Sequence, residues 1–237
     1  WSNLFPDDFL SPIPPAPHFD WDAIPAPAEC GEPLVDPTRL SPRIVYGAAY
    51  LRQGLPGEET CLVRQEAARR LVLAAKKLPE GYSIYIFDSL RSLAVQKALY
   101  DQFYEVAAKE HPQASPEELE ELIDEFVALP VKRSDRPSPH ATGGAVDLTL
   151  CKDGQLLDMG TDFDDFTPLA HTDALERACP PGMEKARDNR RLLFHLMESV
   201  GLVNYSSEWW HYAYGERQWA ARTGKAPIYG FCPECDF

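Results

Sequence analysis

The chain has 237 residues, 44% hydrophobic and 25% charged, an ordinary globular composition with length for one large domain or two small ones. A formal net charge of −14 weighs against nucleic acid, anionic membrane surfaces and polyanionic cell-wall polymers as tight partners. The sequence contains no apolar run of about 18 residues, so it offers no bilayer-spanning segment.

Residues 1–42 are rich in proline and acid ("SPIPPAPHFDWDAIPAPAECGEP") and show no period. They read as an extended arm wrapping the domain, with Trp1, Phe5, Phe19 and Trp21 as its anchors. Residues 43–237 then form a single domain, with a tail at 223–237 of no assigned role. The chain opens on Trp1 rather than Met and shows no basic-then-apolar leader, which reads as a trimmed or processed chain. No internal repeat is visible.

From Thr60 the pattern turns helical. Leu62, Val63, Ala67, Leu71, Ala74, Ala75 and Leu78 mark one face, Thr60 caps the start, and Pro79 and Gly81 stop it. Tyr82–Asp88 ("YSIYIFD") is a β-rich strand, and a second helix runs from Ser92 to about Lys109. A third spans "SPEELEELIDEFVAL", with Ser115 as cap, Pro116 at the first position and Glu118 completing a capping box. "GAVDLTL" is a strand, "KDGQLLDMGTDFDDF" a polar loop, and "MEKARDNRRLLFHLMESVG" a helix closed by Gly201. Short strands follow around "LVNY" and "EWWHYAY". Helices and strands mix without a βαβ rhythm, so the expected class is α+β with a central, mainly antiparallel sheet packed with helices. Six scattered cysteines (30, 61, 151, 179, 232, 235) slightly favour a reducing compartment. The pair in "CPEC" is open between inert thiols, a local disulfide and a metal knuckle.

The stretch "SPHATGGAVD" breaks local rules densely, placing a His, two glycines and an Asp at the entry to an apolar strand. On a strand, Val146, Leu148 and Leu150 face one way, while Ala145, Asp147 and Thr149 face the other. A bend at Gly143 and Gly144 can swing His140 back beside Asp147. The pair suits either a buried hydrogen bond that fastens a turn or two ligands of a zinc ion. In "SSEWWHYAY", alternation puts Trp209, His211 and Ala213 on one face, with Glu208 at the strand's mouth. That segment alone reads equally as an aromatic core strand with one satisfied histidine. Two His and one Asp would leave a zinc's fourth position to a water whose pKa falls towards about 7. Glu208 is then the carboxylate placed to accept its proton.

Together "SxHxxGxAxD" and a downstream "ExWH" resemble the zinc peptidases of the D-alanyl-D-alanine type, and most closely their VanX-like dipeptidase branch. "DSLRS", "SPHATGGAVDLTL", "LLDMGTDFDDF" and "SSEWWHYAY" carry the resemblance, which covers roughly residues 43–214. It implies the hedgehog/D-Ala-D-Ala-peptidase-like fold, one zinc ion per chain on His140, Asp147 and His211, and Glu208 as catalytic base. Arg91 falls where the family keeps a transition-state arginine. Its place after a strand end suits that role, since a fixed guanidinium can share the oxyanion's charge for roughly 3 kcal/mol. An isolated arginine there would equally form a surface ion pair with Asp88. By the same resemblance Asp164 anchors the substrate ammonium, with Ser138 assisting, and Asp162 and Asp165 compete with it. A solvated acidic loop is the plainer alternative. Pro139, the arm and "CPEC" depart from the family pattern.

These residues predict a zinc D-Ala-D-Ala dipeptidase acting on the free dipeptide in a bacterial cytoplasm, without nucleic-acid or membrane partners. The alternatives are a D,D-carboxypeptidase acting on cell-wall peptides and a non-catalytic zinc module such as those of hedgehog signalling. Glu208 and Arg91 argue against the module, because metal binding alone requires neither. The helix-rich segment from Ser92 to Leu129 is placed to roof a small pocket, which favours the dipeptide.

Overall fold

The computed structural model describes residues 5–124, 129–165 and 167–235. In chain order the elements are β1 (Leu34–Val35), β2 (Ile44–Tyr46), α1 (Ala49–Arg52), β3 (Val63–Arg64), α2 (Gln65–Lys77), β4 (Tyr82–Asp88), α3 (Leu93–Glu110) and α4 (Pro116–Asp124). They continue as β5 (Ala145–Lys152), β6 (Gln155–Leu156), α5 (Ala174–Arg177), α6 (Glu184–Glu198), β7 (Val203–Asn204), β8 (His211–Ala213) and α7 (Arg217–Thr223). The main sheet has the order β2-β4-β5-β8-β7, with β6 on the end of β5; β2 pairs parallel to β4 and the remaining pairs are antiparallel. The fold is α+β with a mainly antiparallel sheet.

Strand alternation sets the two sides of this sheet. Ile84 and Ile86 of β4 and Val146, Leu148 and Leu150 of β5 are fully buried against Leu71, Ala74 and Ala75 of α2 and Leu192, Leu193 and Leu196 of α6. Ser92 caps α3 by accepting from the Val95 amide. The capping box at α4 closes reciprocally: Ser115 N donates to Glu118 (2.7 Å) and Glu118 N to Ser115 Oγ (3.2 Å). Residues 125–128 of the expected third helix lie outside the described residues.

The helix expected from Thr60 starts later, at Gln65. Val63 and Arg64 instead pair antiparallel with Leu34 and Val35, and buried Arg64 donates to the carbonyls of Glu32 and Thr142. This second small sheet needs residues 28 and 30 positions upstream, which local helical periodicity does not register. Of the expected anchors of the arm, Phe5 is buried and Trp21 is not. Phe5 is buried edge-on against Tyr82, and Phe9 and Ile13 are buried too. Trp21 is 41% exposed, Phe19 packs on it, and Trp1 lies outside the described residues. At the other end the cysteines of "CPEC" are free, buried thiols packed near Leu90 and Ala141, so no local disulfide forms. Burial pushes Cys232 up to about 12, which leaves it protonated.

Candidate active site

Register brings the site together. Asp147 on β5 is the direct cross-strand partner of His211 on β8 and, on the other side, of Asp88 on β4. Alternation from Ile84 and Ile86 would turn Asp88 into the core. A bulge between Ile86 and Asp88 shifts the register and turns its carboxylate to the face that carries Asp147. His140 opens a 3₁₀ turn, His140–Thr142, just before β5. Gly143 ends that turn in the left-handed region at φ +72, a conformation glycine adopts without strain. A side chain at Gly144 would meet the Tyr214 carbonyl at 2.5 Å. Pro139, the departure from the family pattern, precedes the turn at φ −52, close to the value its ring imposes.

Three lone-pair atoms converge. His140 Nε2 lies 3.3 Å from Asp147 Oδ1 and 3.3 Å from His211 Nδ1, and His211 Nδ1 lies 3.0 Å from Asp147 Oδ1. Bonds of about 2.0–2.1 Å in a tetrahedral shell put ligand atoms roughly 3.3 Å apart, so the separations in this triangle suit one zinc ion. Among the described residues this is the group whose donors could hold a metal; the "CPEC" thiols gather no such set. His140 Nδ1 lies 2.7 Å from the Ser89 carbonyl, an acceptor that fixes the ring with Nε2 turned toward the triangle. Burial opposes charge on Asp147, but the two facing histidines hold its carboxyl well below the usual range. Burial likewise opposes charge on His211, and its contacts with Asp147 overcome this and raise its pKa.

The turn before β8 differs from the expected strand. Glu208 N donates to the Tyr205 carbonyl and His211 N to the Glu208 carbonyl, so 208–210 form a turn and β8 begins only at His211. Trp209 therefore does not share a strand face with His211. Its indole donates to Thr161 (2.8 Å), while Trp210 lines the cavity. The turn places Glu208 Oε2 3.8 Å from His211 Nδ1. Burial, with a smaller contribution from Asp147, raises the Glu208 carboxyl above its ordinary value.

Arg91 sits between these carboxylates rather than at the surface. Nε donates to Asp88 (2.8 Å), Nη1 to Gln96 (3.1 Å), Nη2 to the Tyr50 hydroxyl (3.0 Å), and Nη2 lies 3.5 Å from Asp147. The Asp88 pair is thus real but buried, with side-chain exposures of 12% and 6%.

Asp164 lines the same cavity at φ +61, a left-handed conformation uncommon for a side-chain-bearing residue and frequent at functional sites. Its neighbour Phe163 stacks on Phe87 (4.5 Å) and packs on Tyr50 and Trp210. Arg190 ties the loop's base by donating to the carbonyls of Met159, Leu169 and His171. Burial first, and the Asp147 charge second, raise the Asp164 carboxyl. Asp162 is exposed, Asp165 accepts from the Thr167 amide, and neither lines the cavity. Ser138 does.

His140, Asp147, His211, Glu208, Arg91, Asp164 and Ser138 thus share one cavity of about 320 Å³. Leu99 and Phe103 of α3 form part of its wall but no described residue of α4 does, so only the first part of the segment from Ser92 to Leu129 covers the pocket. Tyr50, Gln96 and Glu216 also line it and were not anticipated. Glu216 had a weak signal, an acid after a glycine that caps α7 through the Gln218 and Trp219 amides. Tyr50 and Gln96 had none.

The sequence profile of the peptidase M15 family, described as D-ala-D-ala dipeptidase, matches residues 47–227. The chain belongs to this family. A D-alanyl-D-alanine dipeptidase of Synechocystis is 31% identical over 213 residues, 81% of this chain and 85% of that one. One from Enterococcus faecium is 32% identical over 145 residues, 60% of this chain and 67% of its own. A solved zinc complex of a variant of the vancomycin-resistance D,D-pentapeptidase VanY is 16% identical, covering 71% of this chain and 83% of that one with a TM-score of 0.41. As an M15 family member the protein is a peptidase. Among the described residues no helix is long and apolar enough to cross a membrane.

Proposed function

We propose that this protein hydrolyses free D-Ala-D-Ala to D-alanine, using one zinc ion held by His140 Nε2, Asp147 Oδ1 and His211 Nδ1. The observation that carries the reading is the 3.0–3.3 Å donor triangle on a cavity wall that also bears Glu208 and Arg91. Bound zinc would polarise the scissile carbonyl and acidify the attacking water. Glu208 takes that water's proton and returns it to the leaving amine. The Arg91 guanidinium, fixed by three side chains, shares the charge that develops on the carbonyl oxygen. Asp164 pairs with the substrate ammonium and Ser138 assists, since a charged end taken out of water needs a partner. In the same proposal residues 43–237 form the catalytic domain and residues 1–42 an arm upon it. Six free cysteines favour a reducing, cytoplasmic setting.

The test incubates zinc-loaded protein with free D-Ala-D-Ala and with a pentapeptide ending in D-Ala-D-Ala. Cleavage of the dipeptide alone supports the reading, cleavage of the pentapeptide favours a D,D-carboxypeptidase, and no turnover with zinc bound leaves a binding module. Removal of the metal by a chelator is expected to abolish turnover, and added zinc to restore it; full activity after verified metal removal would contradict the ligand assignment. Asp164→Asn removes the charge while Asn tolerates the left-handed backbone. A lost charge-assisted hydrogen bond of about 1.5–3 kcal/mol predicts a KM for D-Ala-D-Ala raised roughly 10–150-fold. An unchanged KM would move the ammonium site elsewhere.

A further inference from the structure

The proline-rich arm reaches the cavity. On one side it is fixed by buried Phe9 and Ile13, by Ile13 N donating to Glu176 (3.2 Å), and by Arg191 donating to the Leu10 carbonyl (3.3 Å). On the other side Ala28 N and Cys30 N donate to the carbonyls of Pro227 and Ile228, and Glu29 accepts both arms of Arg64 at 3.0 and 2.9 Å. Between these anchors the chain passes the cavity as a 3₁₀ turn, Trp21–Ala23, capped by Asp20 accepting from the Asp22 and Ala23 amides. Trp21 is one of the residues lining the cavity, and with Phe19 it also lines a small neighbouring one. At the rim Arg217 donates to the Trp21 carbonyl (2.6 Å) and Arg136 pairs with Asp22 (2.9 Å).

Trp21 contrasts with the rest of the arm. Phe5, Phe9 and Ile13 are buried, whereas Trp21 is 41% exposed and is held through its backbone and its neighbours. A large apolar side chain that lines a cavity while partly exposed can gain cover when something enters the cavity. The cavity, at about 320 Å³, is already at the lower end of the roughly 300–1,000 Å³ typical of small-molecule sites.

We propose that residues 20–23 are a strap that closes the cavity around a two-residue substrate, with Trp21 as the specificity-determining side chain that excludes longer peptides. This rests on the dipeptidase reading above. The rim contacts include an exposed ion pair of the weakly contributing kind, so the strap can lift for substrate exchange while its two anchors stay in place.

The experiment measures kcat/KM of the zinc-loaded enzyme and of Trp21→Ala on D-Ala-D-Ala, Gly-D-Ala-D-Ala and D-Ala-D-Ala-Gly. The ratio of extended peptide to dipeptide is expected to rise at least tenfold in Trp21→Ala for one of the two extended peptides. Asp20→Ala, which removes only the exposed cap of the turn, is expected to move the same ratio in the same direction by less. If the unaltered enzyme cleaves the dipeptide and both variants melt normally yet keep both ratios within twofold, the strap is overturned and the dipeptidase reading stands. Equal cleavage of dipeptide and extended peptides by the unaltered enzyme overturns it as well. Failure of the unaltered enzyme on the dipeptide overturns the dipeptidase reading itself, and the strap with it.

Discussion

Glu208→Gln is expected to lower kcat for D-Ala-D-Ala by roughly 10²–10⁴-fold, the usual contribution of a positioned general base. The amide keeps the side chain's shape but cannot accept the water's proton. Zinc content should be unchanged, because the three donor atoms belong to His140, Asp147 and His211, and Glu208 stands 3.8 Å from the His211 donor. KM should move little, since no contact to either end of the dipeptide is lost. Turnover and metal stoichiometry measured on the same sample decide the matter. A variant that keeps near-full activity would remove Glu208 from the mechanism, and one that loses zinc would make it a ligand.

Arg91→Ala is expected to damage both catalysis and stability, and the two effects can be separated. Loss of one oxyanion donor costs about 10²–10³ in kcat. The same change leaves the buried carboxylates of Asp88 and Asp147 without their shared cation. Breaking a buried pair costs roughly 3–5 kcal/mol, or on the order of 10 °C in melting temperature for a domain of this size. Arg91→Lys retains the charge but cannot bridge Asp88, Gln96 and Tyr50 at once. It should therefore recover more melting temperature than kcat. A lysine variant with both fully restored would show that charge alone matters; an alanine variant that is folded and retains kcat within about threefold would show that Arg91 only organises the two aspartates.

The sequence was most readable where chemistry and local rule-breaking coincide. His140, Asp147, Glu208 and His211 stood out as residues that neither strand nor turn requires, and Gly143 and Gly144 mark the bend between the first two. Strand β4 and helices α3 and α6 were legible from alternation, caps and the terminal glycine. Asp88 was not, because one extra residue in a bulge reverses the face that counting from Ile84 assigns. Nor was β3, since its partner β1 lies in the arm and pairing at that range leaves no periodic trace. Tyr50 sits on a helix of four residues, Ala49–Arg52, too short to show a face. Trp21 looked like an anchor because aromatic residues in proline-rich segments commonly are; backbone contacts from Arg217 and the Asp20 cap decide its position instead.

The side-by-side placement of Asp147 and His211 on neighbouring strands also orders events during folding. These two residues are 64 positions apart, and His140 is 71 from His211. No shorter segment of the chain can gather the three donors, so the ion meets a complete set only after β8 has docked on β5. Non-local pairing of this kind forms late. A metal ion held by these three donors would act as a latch on a nearly finished molecule, binding the native state in preference to its precursors and slowing the departure of the last strand rather than speeding the arrival of the first.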